Sequence, residues 1–299
     1  MQPERLELID LDQPREGYRR FIGCWLWRDD GLCAIVDPGP RSSVEHLLGE
    51  LRRRGVASLD LVLLTHVHLD HAGGVAEVLE AFPGARAYCH PRGRPHVENP
   101  KKLWEGSQRV LGEVAAMYGR PRPVPSASLA GEEELGERGI EAIPTPGHAP
   151  HHVSFLLDGV LFAGEAFGAR LPLSGGRSYL RPATPPRFFP RRALESIERL
   201  AALEPEPELT AFAHWGSVRG ARETSRIAAE QIDSWLEAIR ELSDAAPSEL
   251  EDLVFRRLQR TDPWFGRGRF DELDEDLRAR ERHFFANTLE GMLGHIRAR

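Results

Sequence analysis

The amino-acid sequence predicts a mixed α/β protein that ends in a helical extension, and two observations carry that prediction. Between about residues 5 and 90, and again between 139 and 168, short apolar runs alternate with helical segments or tight turns. From residue 221 onward the apolar spacing is that of helices.

The elements follow in order. LELID (6–10) and FIGCWLW (21–27) read as strands, and GLCAIVDPG (31–39) is an apolar strand stopped by Asp37-Pro38-Gly39. SSVEHLLGELRRRG (42–55) has a Ser cap, apolar residues at 44, 47, 48 and 51, and a Gly stop, which predicts a helix. LDLVLLTH (59–66) is a buried strand, GGVAEVLEAFPG (73–84) a helix and ARAYCH (85–90) a further strand. Residues 91–130 are proline-rich and irregular, with one helix expected over about 103–118. GIEAIPTPGH, HHVSFLLDG and VLFAGEAFG predict three strands between 139 and 168. Residues 168–190 read as a long Pro/Gly/Arg-rich loop, the kind that is functional more often than accidental in a compact domain. A helix at 191–204 and a strand within 208–217 precede three helical stretches at 221–242, 247–260 and 270–299.

Composition bounds the function. The chain has 299 residues, 41% of them hydrophobic and 28% charged, and a net charge of −7, which opposes a general nucleic-acid binder. The sequence contains no apolar run of membrane-spanning length, and the charged N-terminal stretch does not resemble a signal peptide. Cys24, Cys33 and Cys89 are odd in number and widely spaced, so a reduced, cytoplasmic protein is expected rather than a disulfide scaffold.

The chemistry concentrates in THVHLDHAGG (65–74). Strand side chains alternate, so His66 and His68 point the same way and can hold one metal together, while Asp70 and His71 follow in a tight turn toward a neighbouring point. Imidazole and carboxylate suit a borderline divalent cation, and a catalytic metal needs about three protein ligands and an open position. Further ligands are found at the C-terminal tips of other apolar strands: His148 in TPGHAPHH, Glu165 in LFAGEAFG and His214 in FAHWG. Asp70, His71 and His214 then form a second group beside His66, His68 and His148.

With these motifs the sequence resembles the metallo-β-lactamase superfamily. THVHLDHAGG matches its His-x-His-x-Asp-His signature, TPGHAPHHVSF its Thr-Pro-Gly-His element, VLFAGEAFG stands in place of its Gly-Asp element, and AHWG in that of its last His-Gly element. The resemblance covers roughly residues 5–220. It implies an αββα sandwich of two mixed β-sheets flanked by helices, with a catalytic domain at 1–220 and a helical extension at 221–299 packed on or near the active-site entrance. It also implies two divalent metal ions, zinc first with iron or manganese as alternatives, bridged by the carboxylate at 165 with a hydroxide between them. Glu165 departs from the family's usual Asp by one methylene.

The implied activity is a metal-dependent hydrolase in which metal-activated hydroxide attacks a small ester, thioester or lactone, with Asp70 ligating and also orienting the nucleophile or taking its proton. Two other chemistries compete. One is an RNA-cleaving nuclease using a local stripe of Arg170, Arg177, Arg181, Arg187, Arg191 and Arg192. The other is a mononuclear iron oxidoreductase resembling the sulfur dioxygenases. His152 is expected to support the ligand loop and Asp37 to orient a ligand histidine, with His151 simply solvated, while Arg170, Tyr179 and Arg181 are expected to recognise an anionic group on a small-molecule substrate. His90 and His96 are candidates for the pocket mouth, and Trp264 and Phe265 for an anchor between helices. The tail is expected to cover the pocket, to mediate a homodimer, or both.

Overall fold

A computed structural model describes residues 5–266 and 268–298. Residues 1–4, 267 and 299, which include part of the charged N-terminal stretch and the outer ends of both expected regions, lie outside the described residues. The first sheet has the order β1 (Leu6–Asp10), β2 (Gly23–Arg28), β3 (Cys33–Val36), β4 (Leu61–Leu63), β5 (Arg86–Tyr88). Its first three strands are antiparallel and β3, β4 and β5 run parallel. The second sheet contains β6 (Ile140–Pro144), β7 (Val153–Leu157) and β8 (Val160–Gly164), and its strand order continues from β8 to β11 (Leu209–Phe212) and β12 (Ser217–Arg219). Strand β11 lies parallel to β8, and the other pairs are antiparallel.

Side-chain alternation assigns the layers. In β2, Trp25 and Trp27 enter the core between the sheets while Cys24 and Leu26 face outward; in β4, Leu61 and Leu63 oppose Val62 in the same way. Strand β8 repeats the pattern, with Val160 and Phe162 inside and Leu161 and Ala163 outside. Both outer faces are therefore apolar, and each needs a helical layer.

On the first sheet that layer contains α1 (Val44–Arg53), α2 (Leu69–Ala72) and α3 (Val75–Ala81), followed by α4 (Arg94–Glu98), α5 (Lys101–Leu111) and α6 (Glu113–Tyr118), several of which share its apolar cluster. The helix expected over 103–118 is in fact two, because Gly112 takes φ +54 and breaks the helical backbone between α5 and α6. After α7 (Glu132–Glu137), the second sheet is covered by α8 (Pro190–Ala201), α9 (Arg222–Leu242), α10 (Pro247–Thr261) and α11 (Glu275–Arg297). These last helices share one apolar cluster with Leu161, Ala163 and Phe212, with Trp235, Phe265 and Phe285 packed ring against ring at 4.8–5.7 Å. The sandwich is thus αββα, and the tail extends its second helical layer.

The stretch at 168–190 is only partly a loop. β9 (Ala169–Pro172) and β10 (Ser178–Arg181) form a two-stranded antiparallel hairpin, and the hidden signal is that all four residues of β10 are buried. No helix among the described residues is long and apolar enough to cross a membrane.

Candidate metal centre

Strand direction brings the ligand-type residues to one edge. β3 and β4 are parallel, so the segments that leave them, carrying Asp37 and His66, emerge side by side. β8 and β11 are parallel, so Glu165 and His214 do the same, and β6, antiparallel to β7, sends His148 to that edge as well. The two sheets are tied there by a hydrogen bond from the Val153 N–H to the Thr65 carbonyl at 2.8 Å.

Two groups result. His66, His68, His148 and Glu165 form one, and Asp70, His71 and His214 the other, with the ligand atoms of each group within 4.8 Å of one another. Glu165 stands between them. Its Oε2 lies 3.0 Å from His148 Nε2, 3.3 Å from His66 Nε2 and 3.5 Å from His71 Nε2, and its Oε1 lies 3.0 Å from His214 Nε2. One carboxylate is therefore placed against imidazoles of both groups.

The outward nitrogens of these rings are already committed. Thr65 Oγ1 donates to Asp37 Oδ2 at 2.7 Å and accepts from His66 Nδ1 at 3.1 Å. His71 Nδ1 donates to Asp37 Oδ2 at 3.1 Å, His148 Nδ1 to the Ala183 carbonyl at 3.0 Å, and His214 Nδ1 to the Phe21 carbonyl at 3.1 Å. Carbonyl and carboxylate oxygens only accept, so the neutral ring at each of these positions keeps its proton on Nδ1 and turns the Nε2 lone pair inward. His66 Nε2 and His71 Nε2 are buried and make no hydrogen bond; their Glu165 contacts are close enough for charge attraction but lack hydrogen-bond alignment. A buried polar atom without a partner is costly, and five imidazoles with two carboxylates are a donor set for zinc, iron or manganese. The residues fit a pair of divalent cations.

His152 offers a contrast. Its Nδ1 donates to Thr145 Oγ1 at 2.8 Å, and its Nε2 accepts the Glu165 N–H at 3.0 Å. Its lone pair is spent on the backbone of Glu165, which it holds in place. Gly164, at φ +59, makes the approach feasible, since a Cβ there would lie 2.4 Å from His152 Nε2. Asp37 serves both ligand groups, His66 through Thr65 and His71 directly: it accepts from the Thr65 N–H at 2.8 Å as well as from Thr65 Oγ1 and His71, and it does so from a left-handed backbone conformation, φ +55.

Electrostatics follow from burial and from the two carboxylates. Burial pushes the His66 imidazole well below its usual range, assisted by repulsion from His71 and His68, and holds His68 down at about 3 with His148 adding repulsion. Burial also opposes charge on His71 and His148, yet Asp70 in the first case and Glu165 in the second outweigh it and raise both. Burial disfavours the Glu165 and Asp70 carboxylates, but the surrounding histidines, His148 and His214 for Glu165 and His71 for Asp70, hold both below the ordinary carboxylate range. The negative charge that draws an extra proton onto these rings is the charge that favours a cation among them.

The centre forms the floor of a cavity of about 580 Å³ that opens between α5 and α11, with His68, Asp70, His148, Glu165 and His214 among its lining residues. The expected anion-recognising residues are placed otherwise. Tyr179 is fully buried against Phe265 and Phe270, and Arg170 is buried under Phe212 with its NH1 3.5 Å from the Trp215 carbonyl; neither lines the cavity. Arg181 does line it but pairs with Glu281 at 2.6 Å. The arginine stripe is formed only in part: Arg170 and Arg181 are buried, Arg177 and Arg191 pair with Glu272 and Glu195, and Arg187 and Arg192 are exposed. His151, expected in solvent, is instead buried beside His68, its pKa held down at about 4 by desolvation and by His96; it, His90 and His96 stand outside both ligand groups.

The tail lines the cavity through Phe284, Asn287, Thr288 and Glu290 of α11, but the sequence does not foretell its support of His214 through Phe21. The Phe21 ring stacks on His214 at 4.4 Å, and Phe284 of α11 packs on Phe21 at 5.0 Å. Arg280 lies over Phe21 at 4.5 Å and donates to the carbonyls of Gly17 at 2.7 Å and Arg19 at 3.0 Å. The tail therefore braces the loop that holds His214. No local pattern signals this, because the contacts span more than 250 positions.

Comparison with known proteins follows the same lines. A sequence model of the metallo-beta-lactamase superfamily matches residues 17–214. A metallo-beta-lactamase fold-containing protein of Sulfurisphaera tokodaii is 33% identical over 196 residues, 62% of this chain and 70% of that protein. Its crystal structure superposes with a TM-score of 0.64 at 23% identity, covering 96% of this chain and 98% of the other, a likeness of fold. A hydroxyacylglutathione hydrolase of Aeromonas salmonicida is 32% identical over 190 residues, 64% of this chain; the match spans only 59% of that hydrolase. A structure of TTHA1623 in a di-iron-bound form matches with a TM-score of 0.50 at 26% identity, over 71% of this chain and 94% of that one.

Proposed function

Because the chain belongs to the metallo-beta-lactamase superfamily, whose sequence model spans residues 17–214, we propose that it hydrolyses a small ester, thioester or lactone with the help of two divalent cations. The observation that carries this reading is the set of inward-facing Nε2 lone pairs on His66, His71, His148 and His214, each fixed by an acceptor on the opposite ring nitrogen. His66, His68 and His148 would hold one cation, Asp70, His71 and His214 the other, and Glu165 would contact both. When bound, such cations, zinc first and iron or manganese as alternatives, acidify water toward neutral pH and polarise the oxygen that gains charge.

The chain's own residues supply position and proton transfer. Asp70 lies on the cavity wall, where its carboxylate can accept a proton from the attacking water and return it to the departing alkoxide or thiolate. Water's oxygen forms the new acyl C–O bond as the C–O or C–S bond to the leaving group breaks. Asp37, through Thr65 and His71, keeps the ring tautomers that this arrangement needs. Likeness to hydroxyacylglutathione hydrolases supports a thioester among the candidate substrates, and the cavity suits a small molecule. The test is to load the purified protein with zinc, manganese or iron and screen thioesters, lactones, esters and a phosphodiester. Metal-dependent turnover of an acyl substrate is expected; turnover of the phosphodiester alone, or oxygen uptake with iron alone, would overturn the reading.

A further inference from the structure

We propose that the groove between α5 and α11 is an acyl-chain site, which makes the substrates esters or thioesters of medium-length apolar acids; this rests on the hydrolase reading above. Helix α5 has eleven residues and none is buried. Its Val110 is 58% exposed and forms part of the cavity lining. Leu103, Val110 and Leu111 of α5, Phe284 of α11 and the Pro185-Pro186 pair line the same cavity whose floor holds His148 and Glu165.

Three polar groups of the inner wall are already engaged, while Ser107 and Asn287 also line the cavity and are partly exposed. Thr184 Oγ1 donates to the Thr288 carbonyl at 3.0 Å, Thr288 Oγ1 donates to the Pro182 carbonyl at 3.2 Å, and Arg181 is neutralised by Glu281. The charged Lys102, Arg109 and Glu290 are exposed. Apart from the metal-ligand side chains of the floor, Ser107 and Asn287, the surface offered to a substrate's tail is largely hydrocarbon. Gly106 sits mid-helix on the cavity wall, and a Cβ there would meet no atom within 4 Å. Glycine weakens a helix, and nothing in the packing requires it, but its bare backbone keeps the groove open.

The test uses the metal-loaded protein with p-nitrophenyl acetate, butyrate, hexanoate and octanoate, which share a leaving group. Burial of each added methylene should raise kcat/KM about two- to fourfold, so hexanoate should exceed acetate by roughly 16-fold or more. Gly106→Leu, which fills open space and favours the helix, should bring that ratio within about threefold, and Val110→Asp should lower it too. Leu253→Asp, on α10 outside the cavity, should leave the ratio as it was. Calorimetric titration with acetate, hexanoate and octanoate reads the groove without turnover and should show affinity rising with length. Equal turnover of acetate and hexanoate esters, or a ratio unmoved by Gly106→Leu, overturns the proposal. So does affinity independent of chain length. Length-dependent binding with no turnover of any ester or thioester would leave the groove standing and remove the hydrolase reading instead.

Discussion

Replacing Glu281 by alanine should cost the protein about 3–5 kcal/mol, because it strands two buried cations. Glu281 is 1% exposed, and its carboxylate receives Arg181 Nε at 2.6 Å and Arg280 Nε at 2.9 Å from guanidiniums that are each 3% exposed. Exposed ion pairs are worth little, but here both guanidiniums are almost wholly buried and lose their charged partner when it is removed. For a chain of 299 residues the unfolding entropy is about 0.6 kcal/mol per degree, so a loss of about 4 kcal/mol lowers Tm by about 6 °C. Calorimetry of the metal-free protein reads this directly. Glu281→Gln, which keeps the volume and one acceptor oxygen, should lose less. The triple replacement Arg181→Met, Arg280→Met, Glu281→Leu should recover much of the loss, since well-packed apolar groups can replace a buried ion cluster. A Tm for Glu281→Ala within about 1 °C of the parent would refute the argument that this cluster bolts α11 to the loop bearing Phe21.

Three further outcomes are expected. Asp37→Asn removes the charge that orients His71 and Thr65 and should weaken metal binding about 10- to 100-fold, measured by competition with a chromophoric chelator; unchanged affinity would contradict the assigned role. Gly164→Ala must adopt φ +59 and place a methyl 2.4 Å from His152 Nε2, so it should cost at least about 2 kcal/mol and reduce metal retention; a thermal melt and metal content check both. Asp10, its carboxyl raised to about 7 by burial and by Asp12, has an Oδ1 that is buried without a partner. Its folded pKa lies above the unfolded value of 3.8, so its contribution is complete below about pH 4 and is lost as pH rises through about 7. Asp10→Asn should therefore have the higher Tm at pH 8 and no advantage at pH 4; a gain that does not vary with pH would contradict this.

Local signals made the frame and the ligands legible. β2, β4 and β8 are buried on both faces and so appear as continuous apolar runs, while the helical period after 221 is set by burial on one face; sequence records both directly. His66, His68, His148, Glu165 and His214 could be placed at strand tips because apolar runs end just before them. The hairpin at 169–181 was obscured by its Pro, Gly and Arg content, and β12 by its brevity. Arg170 and Tyr179 follow Glu165 in the chain, and that proximity suggested the cavity; hairpin pairing instead turns both into the core. Phe21, Arg280 and Glu281 carried no local signal at all, since their meaning arises only when α11 folds back on the β1–β2 connection.

Metal stoichiometry tests the central claim most directly. Elemental analysis of the protein equilibrated with zinc and freed of excess ion should give about two ions per chain. His214→Ala should fall to about one, with His66→Ala losing the other. Less than one ion in about five chains, or a full complement that survives both substitutions, would show that these imidazoles and carboxylates do not form the proposed centre.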